Sequence, residues 1–74
     1  MAKEKPIVLQ GEVTESLPNV MFRVKLDVND QIILCQTSGL MKKNFIKVIV
    51  GDRVELEMTP YDMTRGRITK RLKH

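Results

Sequence analysis

Tryptophan is absent, and the chain has only three aromatic residues, Phe22, Phe45 and Tyr61. Phe22 and Phe45 are needed for the core, which leaves Tyr61. A binder that holds single strands by stacking bases on exposed rings needs more such platforms. Cysteine occurs once, at Cys35, and histidine once, at His74. A single cysteine makes no internal disulfide, and this pair gives neither a catalytic dyad nor a metal site. Cys35 lies in an apolar run and reads as a small buried hydrophobe in a reducing compartment. No apolar stretch approaches the ~20 residues that span a bilayer. The opening residues, Met1 to Lys5, are charged, and no apolar segment follows them. A soluble protein that stays where it is made is expected, without a membrane partner. The patterns GxxxxGK[ST], GxSxG and HExxH are also missing. Glu55 and Glu57 imitate a catalytic pair, but beside Arg53 they read as a solvated strand face. The expectation is a protein that is no enzyme, with no cofactor and no metal.

What the chain does have is positive charge, unevenly placed. Its 74 residues carry 13 basic and 9 acidic groups, for a net +4. Residues 1–37 hold four basic groups against five acidic ones, and residues 38–74 hold nine against four. The excess therefore belongs to the second half and points to a polyanionic partner. This length suits one domain with a small core.

Hydrophobic periodicity places most of the elements. After loose residues 1–5, the odd positions from Ile7 to Leu17 lean apolar, giving a strand with one buried face. Gly11 within it predicts a bend or bulge. Pro18-Asn19 is a turn pair. Val20, Phe22, Val24 and Leu26 then alternate with Met21, Arg23 and Lys25, with Phe22 the best candidate for the centre of the core. Asp27 to Asp30 is turn chemistry without a glycine. Gln31 to Thr37 is a third strand, whose inward set is either Ile33 and Cys35 or Ile32 and Leu34. Ser38 offers a helix N-cap, and Leu40, Met41 and Phe45 allow about two helical turns. No capping box supports that helix, so it must be held by packing on the sheet. Gly51-Asp52 is a turn, and Val54, Leu56 and Met58 mark a fourth strand. Pro60 to Gly66 reads as a loop. Arg67 to Leu72 is a fifth strand, with Ile68 and Leu72 on one side and Arg67, Thr69 and Arg71 on the other.

Strand, strand, strand, short helix, strand, strand is the plan of an all-β, five-stranded OB-fold barrel, and an open SH3-like barrel is the alternative. Lys42, Lys43 and Lys47 cluster on the connection after the third strand. Arg65, Arg67, Lys70, Arg71 and Lys73 cluster at the basic end of the chain. In such a barrel the two runs can meet in one patch that neutralises phosphates. Tyr61, in the loop beside Arg65, is the one ring free to stack on a base. A folded RNA read through its phosphates and shape fits this set best. The alternatives are an RNA chaperone or cold-shock-like single-strand binder, and a protein-interaction module with incidental charge.

Several runs resemble one known family. They are Ser16-Leu17-Pro18-Asn19-Val20-Met21-Phe22-Arg23-Val24, Ser38-Gly39 with Met41-Lys42-Lys43-Asn44-Phe45-Ile46, Gly51-Asp52-Arg53-Val54, and Thr59-Pro60-Tyr61-Asp62 with Gly66-Arg67-Ile68. Together they resemble bacterial-type translation initiation factor 1, over nearly the whole chain. The resemblance implies a single OB-fold (S1-like) domain over residues 1–74. It implies a non-catalytic factor, monomeric when free, on the small (30S) ribosomal subunit. There it would occupy the decoding (A) site and work with initiation factors two and three. The location implied is the bacterial cytoplasm, or alternatively a plastid stroma. By position, Lys42, Lys43, Lys47, Arg65, Arg67 and Arg71 match basic residues that the family presents to ribosomal RNA, and Tyr61 matches a family tyrosine. The sequence departs from the family at Leu40, where a basic residue is usual. Gln36-Thr37 is unusual before Ser38-Gly39. The second hairpin loop is one residue longer and lacks its glycine. Lys70 replaces an apolar or aromatic residue and can return the charge lost at Leu40.

Overall fold

A computed structural model describes residues 5–39, 43 and 47–72 of the chain. Five strands form: β1 (Ile7–Leu17), β2 (Met21–Leu26), β3 (Ile32–Thr37), β4 (Arg53–Thr59) and β5 (Asp62–Leu72). They close into a barrel in the order β1-β2-β3-β5-β4, with β4 returning to β1. All neighbours are antiparallel except β3 and β5, which run parallel. The closed five-stranded barrel expected from the strand order is present, and closure leaves so small a sheet without a long free edge.

Among the described residues, the short helix expected between the third and fourth strands does not stand as an element. Most of that expectation, including Leu40, Met41 and Phe45, falls on residues 40–42 and 44–46, outside the described residues. Of the described residues beside them, Gly39 and Lys43 have helical backbone.

The core is the barrel interior, made of Val13, Phe22, Val24, Leu26, Ile33, Cys35, Val48, Val54, Leu56, Met58 and Ile68, with Leu9 packed against it. Pairing decides the ambiguity in β3. Phe22 lies opposite Cys35 and Val24 opposite Ile33, so Ile33, Cys35 and Thr37 point inward. Ile32 is left exposed. Phe22 is buried as expected, though the wholly enclosed side chains are others, among them Leu26, Ile33, Leu56 and Ile68.

Three expected orientations are corrected by local backbone geometry. Val20 is not the first inward residue of β2 but an exposed turn residue with φ 58°, following Asn19 at φ 64°. Leu17 does not share the inward phase of Val13. The β1–β2 register shifts between Val13 and Glu15, and one extra residue reverses every side chain beyond it. Leu17 therefore pairs with Met21, and the Thr14 hydroxyl donates to the Arg23 carbonyl at 3.2 Å. Arg71 does not share the outward face of Arg67. A second shift, between Glu55 and Leu56, puts Arg71 opposite the inward Val54 and Lys70 opposite Glu55.

Gly11 keeps a regular register, and the shift in β1 falls instead between Val13 and Glu15. Gly11 pairs with Leu26 of β2 on one side and Val54 of β4 on the other. A Cβ there would lie 2.5 Å from the Lys25 carbonyl oxygen. The expected loop from Pro60 to Gly66 is instead a turn at Pro60-Tyr61 followed at once by β5. Gly66 is not a turn residue. A Cβ on it would meet Leu56 Cδ1 at 2.8 Å, Ile33 Cδ1 at 3.1 Å and Cys35 Sγ at 3.2 Å. Its lack of a side chain lets β5 cross the core and pair with both β3 and β4.

Candidate nucleic-acid interface

The cations of the barrel divide into two groups. Near β1 and β2 each strand cation has a carboxylate. Arg23 pairs with Glu15 at 3.6 Å and Lys25 with Asp30 at 3.9 Å. Arg53 forks onto Asp27, with Nη1 to Oδ1 at 3.1 Å and Nη2 to Oδ2 closing the second arm. That hydrogen-bonded fork holds the Asp27 carboxyl below its usual range and raises the Arg53 guanidinium. Such pairs add little stability at an exposed surface, but they leave this side near neutrality.

The second group follows β5 and the segment before β4. Among the described residues, no carboxylate pairs with Lys43, Lys47, Arg65, Lys70 or Arg71. All five are exposed. Arg65 and Arg67 lie on the outer face of β5, where they pair with Leu34 and Gln36 of β3. From Arg65 to Arg71 the strand extends roughly 20 Å at the usual rise per residue. At its far end Arg71 Nη1 donates to the Lys47 carbonyl at 2.9 Å, so Lys47 is held beside the strand. Of the two basic runs, separate in sequence, only Lys47 and Arg71 are joined by a described contact. Lys42 lies outside the described residues, and no described contact joins Lys43 to β5.

The Lys47 end rests on a hydrogen-bonded turn. Val48 is buried, and Gly51 takes φ 95°. The Gly51 amide donates to Val13 O at 2.8 Å, and the Val13 amide donates to Asp52 O at 2.9 Å. Buried Asp52 accepts the Ile49 amide on Oδ2 at 3.1 Å. At the other end Tyr61 stands in the β4–β5 turn, 82% exposed. Next to it, Asp62 accepts from the Thr64 amide at 3.0 Å and the Thr64 hydroxyl at 2.6 Å, and both bonds hold its carboxyl below the usual range.

Between these ends lies an open groove lined by Pro6, Gln36, Glu57, Met58, Thr59, Asp62, Arg65, Gly66 and Arg67. In it Arg67 Nη2 donates to Glu57 Oε1 at 2.9 Å. Sequence reasoning misses Glu57 and Gln36 as members of this face. The alternation of β4 puts Glu57 outside, but its pairing with Arg67 follows a register shift between Glu57 and Thr59 that the sequence does not signal.

Residues 2–74 match the family model described as translation initiation factor 1A / IF-1. The chain belongs to that family. Among solved structures, this family member is similar to bacterial translation initiation factor 1 from the Wolbachia endosymbiont (strain TRS) of Brugia malayi. The match is 46% identical over 92% of this chain and 79% of that one, with a TM-score of 0.76. The OB-fold expected for the chain is the fold of that relative. The chain is also similar to part of YjeQ from Thermotoga maritima, with 31% identity, a TM-score of 0.73 and 90% of this chain against 23% of that one. YloQ, a circularly permuted GTPase, matches at 22% identity and a TM-score of 0.74, over 90% of this chain and 23% of YloQ. That likeness is one of fold alone.

Proposed function

We propose that this initiation-factor family member binds the small (30S) ribosomal subunit at its decoding (A) site through ribosomal RNA. There it assists initiation with initiation factors two and three and catalyses nothing. The observation that carries the reading is the division of charge. Cations around β1 and β2 are matched by carboxylates, whereas Arg65, Lys70 and Arg71 of β5 and Lys47 have no carboxylate partner among the described residues. A row of such cations along one strand suits a phosphate backbone. Arg65, Lys70, Arg71, Lys43 and Lys47 take phosphates, and Arg67 does so from beside Glu57. Lys42 belongs to the same patch by sequence. Tyr61, at the exposed turn, stacks on a base beside the stripe. The same family membership favours the bacterial cytoplasm and a monomer when free.

The test is co-sedimentation with purified small subunits at two salt concentrations, followed by chemical footprinting. Binding weakens as salt rises, and decoding-site nucleotides are protected. Protection fades when Lys43, Arg65 and Arg71 become alanine together. Unchanged binding by that triple variant would overturn the assignment of the face. Tight binding to unstructured oligonucleotides that depends mainly on Tyr61 would favour the single-strand-binder alternative.

A further inference from the structure

One cation of β5 differs from its neighbours. Arg67 is held by Glu57 at 2.9 Å, while Arg65, Lys70 and Arg71 have no carboxylate among the described residues. The Glu57 side chain is 27% exposed and that of Arg67 58%, so the carboxylate is the more fixed member and the guanidinium the one that reaches outward. The other carboxylate of the groove, Asp62, is occupied by Thr64. Glu57 is therefore the acid that a phosphate approaching Arg67 meets. A guanidinium has five N–H donors, so the pair does not close Arg67 to phosphate. It does put two anions on one fork and lowers the positive charge on offer.

We propose that Glu57 restrains RNA binding by competing with phosphate for Arg67. Indiscriminate binding, which rests on charge alone, is weakened most. A target that engages the whole stripe loses less, because its other contacts hold it in place. The role of Glu57 is thus to raise the ratio of specific to non-specific binding. This proposal rests on the reading of β5 as an RNA-binding strand.

The substitution Glu57→Gln keeps the size of the side chain and an oxygen to accept from Arg67, and removes only the charge. Poly(U) serves as unstructured RNA and the purified small subunit as the folded target. Binding of each is measured across salt for the wild type, Glu57→Gln, Arg67→Ala and the double variant. The expected result is poly(U) binding roughly two- to fivefold tighter for Glu57→Gln at low salt. Its log–log salt slope steepens by up to about 0.7. Subunit affinity rises less, Arg67→Ala weakens both, and the gain vanishes in the double variant. If Arg67→Ala weakens binding but Glu57→Gln leaves poly(U) unchanged or weaker, the pair only ties β4 to β5 and the proposal falls. A gain that survives without Arg67 overturns it too, since bulk charge would then be the cause. No effect of Arg67→Ala on either RNA would instead overturn the reading of Arg67 as a phosphate contact.

Discussion

Gly66 and Gly11 both sit where one added carbon meets filled space, but the obstacles differ. At Gly66 the neighbours are the ends of the Leu56, Ile33 and Cys35 side chains. These can shift slightly, so Gly66→Ala is expected to cost about 1–3 kcal/mol in denaturant unfolding. At Gly11 the nearest atom is the Lys25 carbonyl oxygen of a paired strand, which cannot move without breaking the ladder. Gly11→Ala is expected to cost more than Gly66→Ala, and equal costs would show that the paired β2 backbone adapts. Cys35 packs against Gly66 in the same place. Burial pushes its thiol up to about 12, and the Gly66 backbone only partly opposes this. The thiolate is the reactive form, so native protein should resist a thiol reagent at neutral pH and react once unfolded. Labelling at the rate of a free thiol under native conditions would contradict this burial.

The β4–β5 hairpin and the β2–β3 loop each depend on one aspartate. The Asp27 and Asp62 carboxyls are held low in the folded chain, by Arg53 and by Thr64 respectively. A lowered folded value means that the stabilising contribution is complete above the unfolded value of about 3.9 and is lost as pH falls through the folded one. Thermal stability should therefore lose these two contributions below about pH 4, and Asp62→Asn should flatten part of that acid limb. An identical acid limb in the variant would show that the Thr64 bonds stabilise nothing.

These elements also show how far the sequence can be read. The alternation of Phe22, Val24 and Leu26 places β2 correctly, because nothing interrupts it. The phases of Leu17 and Arg71 are out of reach. Each follows a register shift, and Thr14 and Thr69 look like ordinary strand residues. Residues 60–66 mislead for a different reason. Gly66 signals a turn to any local rule, but the chain uses it for close packing with strands far away in sequence. The candidate site suffers in step. Its cations are visible as residue types, while the Glu57 partner and the groove depend on the register shift between Glu57 and Thr59.

On the scale of the whole molecule, the charge excess of the second half becomes a geometric fact once the ion pairs around β1 and β2 are counted. Arg23, Lys25 and Arg53 are matched locally, so the field that a polyanion senses comes from β5 and Lys47. Each phosphate contact contributes about 0.7–0.9 to the log–log salt slope. Replacing Lys47, Arg65 or Arg71 singly by alanine should lower the slope for subunit binding by about that much. Arg23→Ala should leave it unchanged, and a loss from Arg23→Ala as large as from Arg65→Ala would show that the division of charge has no bearing on binding.

The position of β5 in the barrel has a consequence for timing. It is the last of the five strands in chain order, yet it lies between β3 and β4 in the sheet. Before it is in place, β3 and β4 have no partner on that side and the barrel stands open. Such late, non-local pairing is slow, and open strand edges invite other chains. The strand that completes the fold also carries three of the five arginines, Arg65, Arg67 and Arg71. A chain still being made therefore lacks the arrangement of Arg65, Lys70 and Arg71 beside Lys47, which exists only once β5 has entered the barrel.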